Sequence, residues 1–401
     1  MAANLTTPVD GALASLLRDT SSWKASGVHV DAIDKQLTRL WKDQTADGST
    51  PVTRTRVLNL VCVTGSSDGA ARIKDIVCHM GGQHPSRTII LVANPEVEEG
   101  ESNLDAEIEG HRLRTGRASG DVSWELVTIR ARGRTAFHLA SVVNPLLITD
   151  LPTFLWWSGE PPFESELFAR LLSISDRAMV DSLSFRFPFE KEVPRLSKLV
   201  RRWGKDVAFS DFNWARIRSW VDFTVQMFDI GQNRPYMDGI QHLRVDYEAR
   251  VEDPEPNPSQ AILYVSWVAS RLGWTPDKGR KRQGRGWIIP MTSRHGTIEV
   301  EIHAADSRRC SAGEISAFEV RSDWQGHKGT FSVQRTTDRA HAVTHVDLEG
   351  VVTLTKTVEF EKTSDSSLLL DELSIFDRER AYEGALDMAS AILAGKTAKK
   401  A

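Results

Sequence analysis

Cysteine is scarce: only Cys62, Cys78 and Cys310 occur in 401 residues. Their odd number and wide spacing exclude a disulfide framework, and no CxxC pair opens a zinc or thioredoxin-like site. Nowhere do 18 consecutive apolar residues occur, so no membrane-spanning helix is expected. The opening MAANLTTPVDGALASLL has no positive stretch followed by a long apolar one, so no secretory signal is expected and a reducing cytoplasm fits. A basic excess is also missing. The formal net charge is −4, which argues against a dedicated nucleic-acid binder while allowing a local basic patch. G-x-G-x-x-G and H-E-x-x-H are absent, the TGSSDG turn lacks the G-K-[ST] of a P-loop, and no acidic residue forms a recognisable acid–base pair with a histidine, so neither a cofactor fingerprint nor a nucleophile–base pair can be assembled and no cofactor is expected.

Apolar residues at 40% and charged residues at 26% are those of an ordinary globular chain, long enough for two or three domains. Twelve tryptophans outnumber four tyrosines, and most of them are expected to fill cores.

Residues 1–25 read as a loose leader, 28–42 as a helix with Val28, Ile33, Leu37, Leu40 and Trp41 on one stripe, and 43–51 as a linker. Val57–Val63, Thr88–Ala93, Trp124–Ile129, Thr153–Trp157 and 178–183 are short apolar runs suited to strands covered on both faces. Helical patterns at 69–80, 134–144 and 164–172 alternate with them, which predicts an α/β domain with a mostly parallel sheet over 51–185. The acidic stretch 94–122 fits this scheme poorly, though 105–113 can pair as an extra strand.

The pattern then changes. Helices are predicted at 189–203, 212–228, 259–272, 367–376 and 378–394, with Asp377 as a cap and Gly395 as a stop. Between them, strands alternate apolar and polar residues. Leu243, Val245, Tyr247, Ala249 and Val251 face one way, as do Ile298, Val300 and Ile302, and Val352, Leu354, Val358 and Phe360. One wet face means an antiparallel sheet, so 186–396 is expected to be an α+β domain.

Four features invite a functional reading. The TGSSDG turn at 64–69 stands where a helix N-terminus could meet an anion, but it reads more simply as a tight turn with Ser66 or Asp68 as cap. His84 and Arg87 in HPSR form a candidate anion-binding pair, or a structural turn before the next strand. Trp156 and Trp157 point to opposite faces of one strand. One fills the core, and the other needs a helix, a second domain or a partner to cover it, with cover from within the chain the plainer reading. The stretch PDKGRKRQGRG places Lys278, Arg280, Lys281, Arg282 and Arg285 among three glycines, between Trp274 and Trp287. It is expected to be a flexible exposed loop that contacts a partner or is idle. Cys310, after Arg308 and Arg309, is the one thiol whose pKa a cationic neighbourhood could lower.

VTRTRVLNLVCVT, QHPSRTIILV and DLPTFLWWSGEPP, in that order, resemble the signature segments of the glucose-6-phosphate dehydrogenase assembly protein family (OpcA). ELSIFDRERAYEGALDMAS resembles that family's closing helices. The resemblance spans roughly 50–395 and is dense in the three early segments; His84, Arg87, Trp156 and Trp157 match its signatures. It implies a non-catalytic assembly factor and allosteric activator that binds glucose-6-phosphate dehydrogenase, in the oxidative pentose phosphate pathway of cyanobacteria and actinobacteria. Two rival readings stand beside it: an enzyme for sugar phosphates or nucleotides using the TGSSDG turn, and a nucleic-acid binder using the basic loop. The redox switch of some cyanobacterial members, through cysteines near the C-terminus, has no counterpart after Cys310.

Overall fold

A computed structural model describes residues 17–46, 56–81, 83–94, 104–113, 122–186, 188–253, 256–360 and 363–395. The expected leader up to residue 16, the part of the linker from residue 47 to 51 and much of the acidic stretch 94–122 lie outside them, as do the side chains of Leu40 and Trp41. The chain clusters into two compact units. The first comprises residues 1–180, 206–208 and 365–376; the second comprises 181–205, 209–364 and 377–401.

The first unit is an α/β layer. Its strands are β1 (Leu17–Ala25), β2 (Leu58–Thr64), β3 (Ser86–Asn94), β4 (Leu104–Leu113), β5 (Val122–Arg132), β6 (Thr153–Trp157) and β7 (Arg177–Val180). The sheet runs β1-β4-β5-β3-β2-β6-β7 and ends on the short β8 (Ala208–Asp211), where the chain passes into the second unit. The pairs from β5 through β3, β2 and β6 to β7 are parallel, and β1 and β4 are added antiparallel. The parallel centre follows from composition: every residue of β2 and β6 is buried, as apolar runs covered on both faces require.

Helix α1 (Val30–Ala46) runs four residues into the expected linker. α2 (Ser67–Met80) buries Ala70, Ile73, Ile76, Val77 and Met80. The 134–144 segment is a 3₁₀ turn (Gly133–His138) followed by one turn of α3 (Leu139–Val143). Phe137, within the tighter 3₁₀ turn, is 58% exposed. α4 (Glu166–Leu172) completes the helices before β7. Residues 17–25 are no leader: β1 pairs with β4 over Leu17–Ala25, held by backbone bonds that a polar edge strand does not advertise in its side chains.

In the second unit, α5 (Phe189–Trp203), α8 (Ser259–Leu272) and α10 (Arg380–Ala394) accompany a mostly antiparallel sheet. Its strands are β9 (Ile240–Glu248), β10 (Thr275–Pro276), β11 (Lys281–Gln283), β12 (Gly286–Ser293), β13 (Gly296–Ala305), β14 (Ile315–Trp324), β15 (His327–Arg335), β16 (His341–Leu348) and β17 (Val352–Glu359). The order is β10-β12-β13-β9-β14-β15-β16-β17, with β11 paired to β12; among the described residues of this sheet, β13 with β9 is the one parallel pair. Leu243, Val245, Ile298, Val300 and Ile302 are buried as the alternation requires. Val251 is not: β9 ends at Glu248, and Val251 is 74% exposed. Leu354 is also exposed, because β17 is the terminal strand of the sheet.

The single helix expected at 212–228 is two, α6 (Phe212–Arg216) and α7 (Arg218–Asp229), parted at Ile217. Helix α9 (Asp365–Leu373) clusters with the first unit rather than the second. α10 begins after Glu379, not Asp377, because Arg378 is drawn to Glu383 (2.7 Å) and Glu379 takes the Trp214 indole N–H (2.6 Å). It stops at Gly395, as expected.

Candidate functional site

The TGSSDG turn is consumed by its own helix. Ser66 caps α2, its Oγ accepting the Gly69 N–H at 3.0 Å, an arrangement worth about 1 kcal/mol. A Cβ on Gly69 would stand 2.1 Å from Thr64 Oγ1, so glycine serves close packing here.

His84 and Arg87 part ways. Arg87 Nε donates to Glu125 Oε2 at 2.5 Å, and its Nη1 donates to the Leu146 carbonyl at 2.8 Å. Arg56 Nη2 reaches the other oxygen of the same carboxylate at 2.6 Å. Glu125 is 1% exposed, so these two guanidinium groups hold a buried charge in place. The Arg87 guanidinium is thus a structural ion pair, which corrects its assignment to an anion site. His84 lies within 3.4 Å of Ser374 Oγ, after α9, and burial lowers its pKa. A neutral imidazole is a poor anion ligand.

Trp156 and Trp157 are both buried, at 5% and 9% exposure. Phe168 of α4 meets the Trp157 ring edge-on at 5.1 Å, so the second indole is covered from within the chain. Neither presents an exposed anchor.

The basic segment is more ordered than its glycines suggest. Lys281–Gln283 pairs with Gly286–Ile288 in a short hairpin, with Gly284 at φ +59° in the turn. Trp274 and Trp287 are buried and cannot act as free anchors. Phe189 lies 5.8 Å from Trp287, and Arg280 stacks over the same indole at 5.1 Å. Arg285 donates to the backbone carbonyls of Arg250, Asp253 and Ala249, bonds that a freely flexible loop would not keep. Lys278, Lys281 and Arg282 are exposed, so the positive face of the segment is narrower than its five cations imply.

Two polar clusters escaped the sequence reading. On β4, Glu109 accepts Lys74 Nζ at 2.5 Å and lies 3.4 Å from His111, which stacks on Trp124 at 5.3 Å. Burial opposes ionisation of Glu109, but the bonds from His111 and Lys74 hold its pKa down to about 2. In the second unit, Asp211 is 1% exposed and its Oδ1 accepts the N–H groups of Ser182 and Asn213, both at 2.9 Å. Asn213 continues to Ser182, Ser259 and Gln260, and Gln260 accepts the Ile315 N–H at 2.6 Å. Burial, with Asp181 nearby, pushes the Asp211 carboxyl up to about 7. Such clusters join residues far apart in sequence, so no local pattern marks them.

The thiols are not activated. Burial raises all three, Cys78 to about 11 and Cys310 to about 12, which overturns the expectation for Cys310. Among the described residues, no group of three His, Cys, Asp or Glu side chains could hold a metal ion, and no helix is long and apolar enough to cross a membrane.

The architecture defines the chain's class: an α/β unit followed by a unit built on a mostly antiparallel sheet. Comparison with known proteins narrows it. Residues 79–198 match the family model described as the glucose-6-phosphate dehydrogenase subunit N-terminal domain, and 207–386 match the corresponding C-terminal domain. The chain belongs to the glucose-6-phosphate dehydrogenase assembly protein (OpcA) family. A relative from Nostoc punctiforme, named as OxPP cycle protein OpcA, is 27% identical over 338 residues, covering 82% of this chain and 69% of the relative. One of the same name from a Synechocystis species is 31% identical over 198 residues, which span 49% of this chain and 39% of that protein. A crystal structure described as an oxidoreductase from Klebsiella pneumoniae aligns over 85% of this chain and 92% of its own, with 10% identity and a TM-score of 0.44. That likeness transfers no residue and no activity.

Proposed function

We propose that the chain binds glucose-6-phosphate dehydrogenase and favours its assembled, active form, with no reaction of its own. The observation that carries this reading is the family match itself: two consecutive models, both described as dehydrogenase subunit domains, lie in order along residues 79–386. The local chemistry is in keeping with it. The turn that most resembles an anion site is occupied in capping α2, and Arg87 is committed to Glu125.

The mechanism is linkage. A helper that binds the active state more tightly than the inactive one shifts the population by its differential affinity. A tenfold shift needs about 1.4 kcal/mol, which one or two well-placed contacts supply. Lys278, Lys281 and Arg282 are exposed and suited to steering an acidic partner surface during encounter.

The test is size-exclusion chromatography of the purified chain with the dehydrogenase of the same organism. Co-elution as a larger species, with no oxidation of glucose 6-phosphate by the chain alone, is the expected result. Separate elution, or turnover without the dehydrogenase, contradicts the proposal.

A further inference from the structure

The end of α7 and the end of α8 border a trough of about 330 Å³ that the established family membership leaves unassigned. Its walls include Val225, Phe228, Trp267, Val268 and Leu272. The floor is fixed: Thr224 Oγ1 and Tyr264 Oη bond at 2.6 Å, Tyr264 lies against Phe318 at 5.3 Å, and Phe228 lies against Phe331 at 4.6 Å. Val225 on its wall and Ile230 just beyond α7 are each 44% exposed, an apolar edge left in water.

Two guanidinium groups flank this edge. Arg234 opens a 3₁₀ turn tied back to α7, its N–H donating to the Ile230 carbonyl at 3.1 Å, while buried Asn233 donates from Nδ2 to the Met227 carbonyl at 2.7 Å. Arg271 sits in the last turn of α8. Both arginines line the trough and also an adjoining cavity of about 590 Å³ whose wall holds Trp274, Trp324, Arg294 and His295. There, Arg294 and His295 converge on Asp238, at 2.7 and 3.2 Å. Arg234 and Arg271 are exposed and have no acidic partner among the described residues. Asp229 is the remaining carboxylate of the trough, so the balance stays positive.

We propose, building on the reading that the chain binds glucose-6-phosphate dehydrogenase, that this trough receives a segment of the dehydrogenase in which apolar side chains stand next to carboxylates. The apolar edge loses its water, and the carboxylates meet Arg234 and Arg271 in bidentate pairs. A small phosphorylated ligand fits less well. The hydroxyls of Thr224 and Tyr264, which would orient it in the apolar part, are bonded to each other.

The test compares the wild-type chain with the double variant Arg234→Glu/Arg271→Glu and with Val225→Asp, measuring association with the dehydrogenase at low and high salt. All three side chains are exposed, so unfolding temperatures should match. The double variant should associate about tenfold more slowly at low salt, the gap closing as salt rises. Val225→Asp should dissociate faster. Wild-type binding with both variants unchanged overturns the docking site and leaves the proposed function standing. A wild-type chain that does not bind removes the proposed function itself. Heat protection by inorganic phosphate or glucose 6-phosphate, lost in the double variant while dehydrogenase binding persists, would assign the trough to a small phosphorylated ligand and overturn the docking proposal.

Discussion

Arg87 and Glu125 stand directly opposite each other on the parallel strands β3 and β5, and Arg87 Nε donates to Glu125 Oε2 at 2.5 Å. A carboxylate at 1% exposure is tolerable only with such partners. Arg87→Ala leaves Arg56 alone to compensate it and should cost about 3 kcal/mol of stability, the lower end for a broken buried pair. Urea unfolding measures this. An unchanged midpoint, together with lost binding of inorganic phosphate, would return Arg87 to the role of an anion ligand.

Trp156 and Trp157 are expected to behave alike, since both indoles are buried. Replacing either by Ala should destabilise the chain by about 3–5 kcal/mol, through lost burial and a residual cavity. A variant at one position that keeps its unfolding temperature but loses dehydrogenase binding would identify that indole as a contact surface.

Asp211 gives the stability of the second unit a pH dependence. Burial, then the charge of Asp181, raises its carboxyl to about 7, above the usual value of 3.8. The folded state therefore holds a proton that the unfolded state has released. That contribution is fully present below about pH 4 and is lost as pH rises through about 7. Asp211→Asn keeps an acceptor for Ser182 and Asn213 and removes the titration. Relative to wild type, the variant should gain in unfolding temperature as pH goes from 5 to about 8. A constant offset across that range would mean that Asp211 does not titrate there.

Much of the first unit was legible because parallel strands buried on both faces leave apolar runs in the sequence, as at Leu58–Thr64 and Thr153–Trp157. β1 was not, since Leu17–Ala25 is polar and held by backbone bonds to β4. The helix expected over 212–228 breaks at Ile217, and Val225 beyond the break is exposed. What the side chains of the four candidate segments do is not legible in the segments themselves. Partner choice decided that: Arg87 by Glu125, Trp157 by Phe168, Arg280 by Trp287, Arg285 by three carbonyls. Each partner lies outside its own segment or across a turn, where periodicity carries no information. The Asp211 cluster was invisible for the same reason.

The proposed function requires that the chain act on glucose-6-phosphate dehydrogenase and have no turnover alone. Its most direct test is the steady-state rate of that dehydrogenase, from the same organism, as the purified chain is titrated in. A saturable rise in kcat or fall in KM for glucose 6-phosphate is expected, with no NADP reduction when the dehydrogenase is left out. Kinetics that stay flat across the titration, or reduction by the chain alone, would contradict it.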